Sequence, residues 1–351
     1  MRDPCARILV SIVLSVAASC SDQGTGVEGP AGDVPPDVST PIPLTGVPFR
    51  YLGFSGGLYP GQRNEPSPAH GAQGRAALAG VQPLDRQGRP DPAGKIVLVS
   101  VGMSNTTQEF CSTGAPPCEA WSFTGQAALD PAVDRTHLVI ANGARGGQDA
   151  LEWDDADDLN YDVVAEVRLP PLGVTDQQIQ IAWVKQAIAR PVSSLPDADA
   201  DAYRLEAALG GIVRAMKARW PNLRIVFFSS RIYGGYAATS LNPEPYAYET
   251  AFAVRGVIEA QIEQSAGEGI DPEAGDVGLA GGAPWLAWGP YLWANGQEPR
   301  ADGLAWLPED FQEDGTHPSM LGEEKVGRLL LEFFKASPYS QCWFLARRSC
   351  Q

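Results

Sequence analysis

The chain has 351 residues, 44% of them hydrophobic, so it can bury a full core; one α/β domain of about 250 to 300 residues plus a tail fits that length better than two domains. Its formal net charge of −16 argues against nucleic acid or an anionic membrane surface as partner, since both need clustered Lys and Arg. Acidity alone does not identify a substrate.

At the N-terminus, Arg2 and Arg7 precede the apolar run Ile8 to Val16, which is too short to span a bilayer, and the small residues Ala17-Ala18-Ser19 then lead to Cys20. This segment resembles a bacterial lipoprotein signal, with Ala17 where that pattern favours Leu. The resemblance implies removal of residues 1–19 and a chain exported to the bacterial cell envelope, lipid-anchored at Cys20, periplasmic or on the cell surface. The other reading is an ordinary secretory signal with Cys20 incidental. Residues 20–45, rich in Gly, Pro, Asp and Ser, predict a flexible tether. Residues 46–94 read as an irregular Gly/Pro-rich segment packed on the domain formed by residues 95–351.

Within that domain, apolar runs at 95–101, 137–141, 179–184, 224–229 and 284–288 read as strands. Amphipathic stretches at 199–219, 247–264 and 318–335 read as helices. The alternation predicts an α/β fold: a three-layer, flavodoxin-like, doubly wound parallel five-stranded sheet, with active groups at the carboxyl ends of the strands. Outside the signal and Cys20 the cysteines form two close pairs, Cys111 with Cys118 and Cys342 with Cys350, which predict two disulfides in an exported protein. A zinc site would need more ligands than these and the three histidines His70, His137 and His317 supply at such spacings.

Asp314-Gly-Thr-His317, followed by Pro318-Ser319, is the most informative segment. A carboxylate three residues before a histidine on a tight turn can hold one imidazole nitrogen, leaving the other free to take a proton from a serine hydroxyl. The first strand breaks at Gly102-Met-Ser104-Asn105, where Ser104 would be exposed at a strand end. His137 opens a strand at the opposite edge and reads as structural, and His70 has no carboxylate cluster beside it.

With those positions placed, residues 95–335 resemble the SGNH hydrolase superfamily, the GDSL esterases and lipases. Gly102-Met-Ser104-Asn105 stands where the family has Gly-Asp-Ser, Asn142-Gly-Ala-Arg-Gly-Gly147 is similar to its Asn-x-x-x-x-Gly block, and Asp314-x-x-His317 matches its last block. The third block, Gly-x-Asn, is absent. Trp183-Val-Lys185-Gln186 stands there instead, closer to the Trp-x-Gln-Gly-Glu of sialate O-acetylesterase-like and carbohydrate esterase-like members.

The resemblance implies Ser104 as nucleophile, His317 as base and Asp314 as the orienting acid. It implies an oxyanion hole from the Ser104 amide, Gly147 and Gln186, with Lys185 in reserve. Asn105, Asn142 and Trp293 are the expected substrate contacts, Trp293 because exposed indoles near such sites stack on sugars. No metal or organic cofactor is required. The expected activity is a serine esterase removing O-acyl groups, most simply acetyl, from carbohydrate or glycoconjugate esters. The alternatives are a lipid or thioester hydrolase on the same residues, or an envelope carbohydrate-binding lipoprotein that has lost the reaction.

Overall fold

The computed structural model describes residues 35–346, 348 and 350. The expected signal, Cys20 and the first part of the tether lie outside the described residues.

Among the described residues, eight strands and eight α-helices follow in chain order: β1 Asp37–Val38, β2 Arg50–Tyr51, β3 Phe54–Ser55, α1 Pro68–Leu78, β4 Ile96–Gly102, α2 Ser104–Cys111, α3 Phe123–Leu129, β5 Leu138–Ala141, α4 Leu159–Val163, β6 Ile179–Lys185, α5 Asp201–Arg219, β7 Ile225–Phe228, α6 Tyr246–Ala266, β8 Trp285–Trp288, α7 Met320–Ala336 and α8 Gln341–Phe344. The five strands of the main sheet are all parallel, in the order β5-β4-β6-β7-β8. Counted from β4, that order is 2-1-3-4-5, the flavodoxin-like arrangement expected from the alternating pattern.

The strands read as continuous apolar runs because both of their faces are covered. Val97, Val99 and Val101 of β4 join Ala182 and Val184 of β6 and Val226 and Phe228 of β7 in one core, packed against α5 and α6. The alternate residues, Leu98, Ile181, Trp183, Ile225 and Phe227, face a second core built with Phe110 of α2, Phe123 of α3, Leu330 and Phe334 of α7, and Phe344 of α8. Both expected disulfides are formed, Cys111–Cys118 and Cys342–Cys350.

The expected tether and irregular segment are more ordered than composition suggested. From Pro36 onward the chain is packed on the domain: β1 pairs with β2, Leu44 is fully buried, and the Tyr248 hydroxyl donates to the Ile42 carbonyl. Trp288 donates from its backbone to the Tyr59 hydroxyl and from its indole to the Leu58 carbonyl. His70, on α1, gives the Leu286 carbonyl of β8 a 2.8 Å contact from Nε2, and Trp285 returns one from its indole to the His70 carbonyl. The edge of the sheet at β8 is thus covered rather than left as an open template.

Candidate active site

Strand β4 lies between β5 and β6, and the strand order reverses around it, so the crevice at its carboxyl end is the topological switch point where such sheets bind ligands. Ser104 stands there as the first residue of α2. Met103 caps that helix without a side-chain bond, so the first-turn amides, including that of Ser104, face outward with the positive end of the helix dipole.

The Asp314–His317 turn, just before α7, which packs on the same face of the sheet as α2, reaches this point. Asp314 Oδ1 accepts from the backbone amides of both Thr316 and His317 at 2.9 Å. Its Oδ2 lies 2.5 Å from His317 Nδ1, and His317 Nε2 lies 2.7 Å from the Ser104 hydroxyl. With Nδ1–H donating to the carboxylate, Nε2 is left as an acceptor for the serine proton. Burial pushes the Asp314 carboxyl up, but the hydrogen bonds from the His317 ring and the two backbone amides outweigh it and hold the group below its ordinary value. Asp314 is therefore ionised at neutral pH, as an orienting carboxylate must be.

The turn is locked in several places. Gly315 has φ of +63°, and a Cβ there would fall 1.8 Å from the Tyr236 carbonyl oxygen, so only glycine fits. The Gln312 amide donates to the His317 carbonyl, and the Ala238 amide donates to the Asp314 carbonyl. Asn105 Nδ2 donates 2.9 Å to the Thr316 carbonyl, tying the start of α2 to the histidine turn. Asn105 is buried and committed to that bond, which makes it a positioning residue rather than the substrate contact expected.

Asn142 departs from expectation in the same way. Its Oδ1 accepts from the Ser100 hydroxyl at 2.8 Å, and its Nδ2 donates to the carbonyls of Thr107 and Thr113. All of this lies beneath the surface, so Asn142 fastens β4 to the far end of α2 instead of meeting substrate. The loop it starts is docked by the Arg145 amide on the Gly102 carbonyl. Gly146 lies alongside Ser104, close enough that a Cβ on it would sit 3.6 Å from the serine Cβ. Gly147 turns next at φ +76°. Both glycines are exposed, and among the described residues neither amide donates to a protein acceptor.

The third strand end supplies no side-chain donor to Ser104. Gln186 is buried, its Nε2 directed over a long 3.4 Å to the Asp149 carbonyl and its Oε1 without a partner among the described residues. Lys185 points to the other face of the sheet, where its Nζ lies 2.5 Å from both carboxylate oxygens of Glu109 on α2. Both side chains are fully buried. Desolvation pushes the Glu109 carboxyl up and the Lys185 ammonium down, to about 8, each resisted by the partner's opposite charge.

Trp293 does not line the site. It is fully buried, donating 2.7 Å from its indole to Glu244 and packed on the Tyr248 ring. Trp285, Trp288 and Trp306 are buried likewise. His137 bridges Asp134 and the Pro92 carbonyl at the amino end of β5, away from Ser104. Among the described residues no group of His, Cys, Asp and Glu is arranged to hold a metal.

The sheet order gives a three-layer α/β fold of the flavodoxin-like arrangement, with Ser104, His317 and Asp314 joined by hydrogen bonds at its carboxyl edge. No protein-family model and no curated protein matches the chain. Similar solved structures include the extracellular lipase of Streptomyces rimosus, at 16% identity and a TM-score of 0.30 over 68% of this chain and 99% of that one. A carbohydrate esterase family 2 enzyme with its carbohydrate-binding domain, from Corynascus thermopiles (Myceliophthora fergusii), is similar at 12% identity and a TM-score of 0.36, covering 70% of this chain and 67% of that one. A salicylyl-acyltransferase from a tetracycline biosynthetic pathway is similar at 15% identity and a TM-score of 0.34, covering 71% and 56%.

Proposed function

We propose that the protein is a serine esterase that removes O-acyl groups, most simply acetyl, from carbohydrate or glycoconjugate esters. The observation that carries this reading is the hydrogen-bonded chain from Ser104 Oγ through His317 to Asp314, with Ser104 and His317 half-exposed at the switch point. In the reaction Ser104 Oγ bonds to the ester carbonyl carbon while its proton passes to His317 Nε2. Negative charge on the carbonyl oxygen meets the Ser104 amide at the helix start and the exposed amides of Gly146 and Gly147. Collapse breaks the carbon–oxygen bond to the alcohol, which leaves with the proton from His317. Water, deprotonated by the same imidazole, then attacks the acyl-serine and returns the hydroxyl.

The carbohydrate assignment rests on the sequence resemblance alone, since the indole expected to stack on sugar is in the core. Acetylated sugars set beside p-nitrophenyl esters of increasing chain length test it. A rate that falls steeply beyond acetate supports deacetylation, whereas a preference for long acyl chains supports the lipid or thioester reading. The carbohydrate-binding alternative draws on the absence of a side-chain donor at Lys185 and Gln186. It predicts sugar binding with no labelling of Ser104 by a fluorophosphonate.

We further propose that the chain is exported and anchored by lipid at Cys20. Mature protein should partition into detergent and begin at an acylated Cys20, and Cys20→Ser should yield soluble protein of unchanged activity. An unmodified mature N-terminus elsewhere would overturn this.

A further inference from the structure

Glu109 and Lys185 form an ion pair with no exposure to solvent, directly behind the helix that begins with Ser104. Burying such a pair is no gain in stability: an apolar pair of similar volume usually does as well or better. What the pair has that an apolar contact lacks is a single geometry. Lys185 Nζ is equidistant, at 2.5 Å, from both Glu109 oxygens, and the Lys185 carbonyl accepts 2.8 Å from the Thr106 hydroxyl. One residue at the end of β6 therefore grips α2 at two successive turns. Asn105 holds the Thr316 carbonyl, so the buried polar side chains Asn105, Thr106 and Glu109 tie the helix to the histidine turn and to Lys185, while Asn142 holds the Thr107 carbonyl. Arg231, buried and donating from Nε to Asn242, adds a second cation near Glu109.

We propose that Glu109 and Lys185 are positioning residues for the esterase reaction: the pair fixes the axial placement and rotation of α2, and so keeps Ser104 Oγ within transfer distance of His317 Nε2. Ser104 and Glu109 are separated by roughly 7.5 Å along the helix, so a small slide or roll at Glu109 is carried to the nucleophile. A misplacement of about 1 Å at a reacting group costs on the order of 100-fold in rate. This inference rests on the esterase reading above.

The test uses the full mature chain with Glu109→Leu/Lys185→Met, an apolar replacement of similar volume, and Glu109→Gln as a second variant that keeps shape and one hydrogen bond. Both are compared with wild type by thermal melting, ester turnover and the rate of fluorophosphonate labelling. The expected result is a cooperative melt for the double variant, kcat lowered at least 10-fold, KM within threefold, and labelling slowed in proportion, with Glu109→Gln showing the same split. A double variant that melts cooperatively and turns over within twofold of wild type would show that the pair only fills the core, and would overturn the proposal. Failure of the esterase reading looks different: wild type itself would neither turn over esters nor label.

Discussion

The carboxyl ends of β4 and β6 are adjacent in the sheet and both carry polar side chains, yet they are used in opposite ways. At β4, Ser104 stays half-exposed and its hydroxyl meets only the imidazole that can deprotonate it. At β6, Lys185 and Gln186 are buried, one consumed by Glu109 and the other directed at a backbone carbonyl. Asn142, after β5, belongs with β6. Position at the active edge is thus necessary for chemistry but not sufficient. What separates a reacting group from a bracket is whether its hydrogen-bonding capacity is left facing solvent or used up inside the protein.

Loss of either reacting group at the β4 end should be the most damaging change. Ser104→Ala and His317→Ala should each lower kcat by roughly 10⁴- to 10⁶-fold, and the double variant should lose little more, because groups that act as one unit are not additive. Asp314→Asn should cost about 10⁴-fold, since the amide favours the wrong tautomer. A smaller and different effect is expected at Asn142. Asn142→Ala should lower stability by about 2 to 3 kcal/mol, read by denaturant unfolding, because it strands the Ser100 hydroxyl and two carbonyls. KM should not move. A folded variant with unchanged stability and a raised KM would return Asn142 to the substrate.

On the proposed mechanism, in which backbone amides meet the oxyanion, Gln186→Ala should change kcat by less than 10-fold. A loss beyond 100-fold, typical of a positioned donor, would mean that its amide swings to the site in the complex. The smallest effect concerns a half-buried carboxylate, Glu206, that accepts no hydrogen bond among the described residues. Burial pushes Glu206 up to about 8, and the nearby Asp271, Glu273, Glu259 and Glu263 add repulsion. The folded chain then holds a proton that the unfolded chain has released, so stability falls as pH rises from the ordinary carboxyl range toward 8. Glu206→Gln should raise Tm at pH 8 and leave it unchanged at pH 4; equal melting at both would show that Glu206 is ionised in the fold.

Much of this was readable from the chain. The five strands announced themselves because a doubly covered parallel sheet needs long apolar runs, and Ile96–Gly102 is interrupted only by Ser100 and Ile179–Val184 only by Gln180. The Asp314–His317 turn was readable because its partners are three residues apart. Helix α2 was not: Ser-Asn-Thr-Thr-Gln-Glu-Phe-Cys has no apolar period, and the helix forms because Asn105, Thr106 and Glu109 find partners far away in sequence. The same limit explains Asn142 and Trp293. Sequence spacing placed them near the active edge, but which way each side chain turned was decided by Ser100 for one and Glu244 for the other. Residues 36–45 read as a tether because Gly and Pro dominate their neighbourhood, while Leu44, fully buried, with Val38 and Ile42 packed against the same core, supplies the burial that holds them down.

Intact-protein and peptide mass spectrometry after brief exposure to p-nitrophenyl acetate at low pH, where deacylation is slow, tests the central claim most directly. The account predicts one acetyl group, on Ser104, absent from Ser104→Ala and nearly absent from His317→Ala. Unmodified protein, or an acetyl group carried equally by Ser104→Ala, would contradict it.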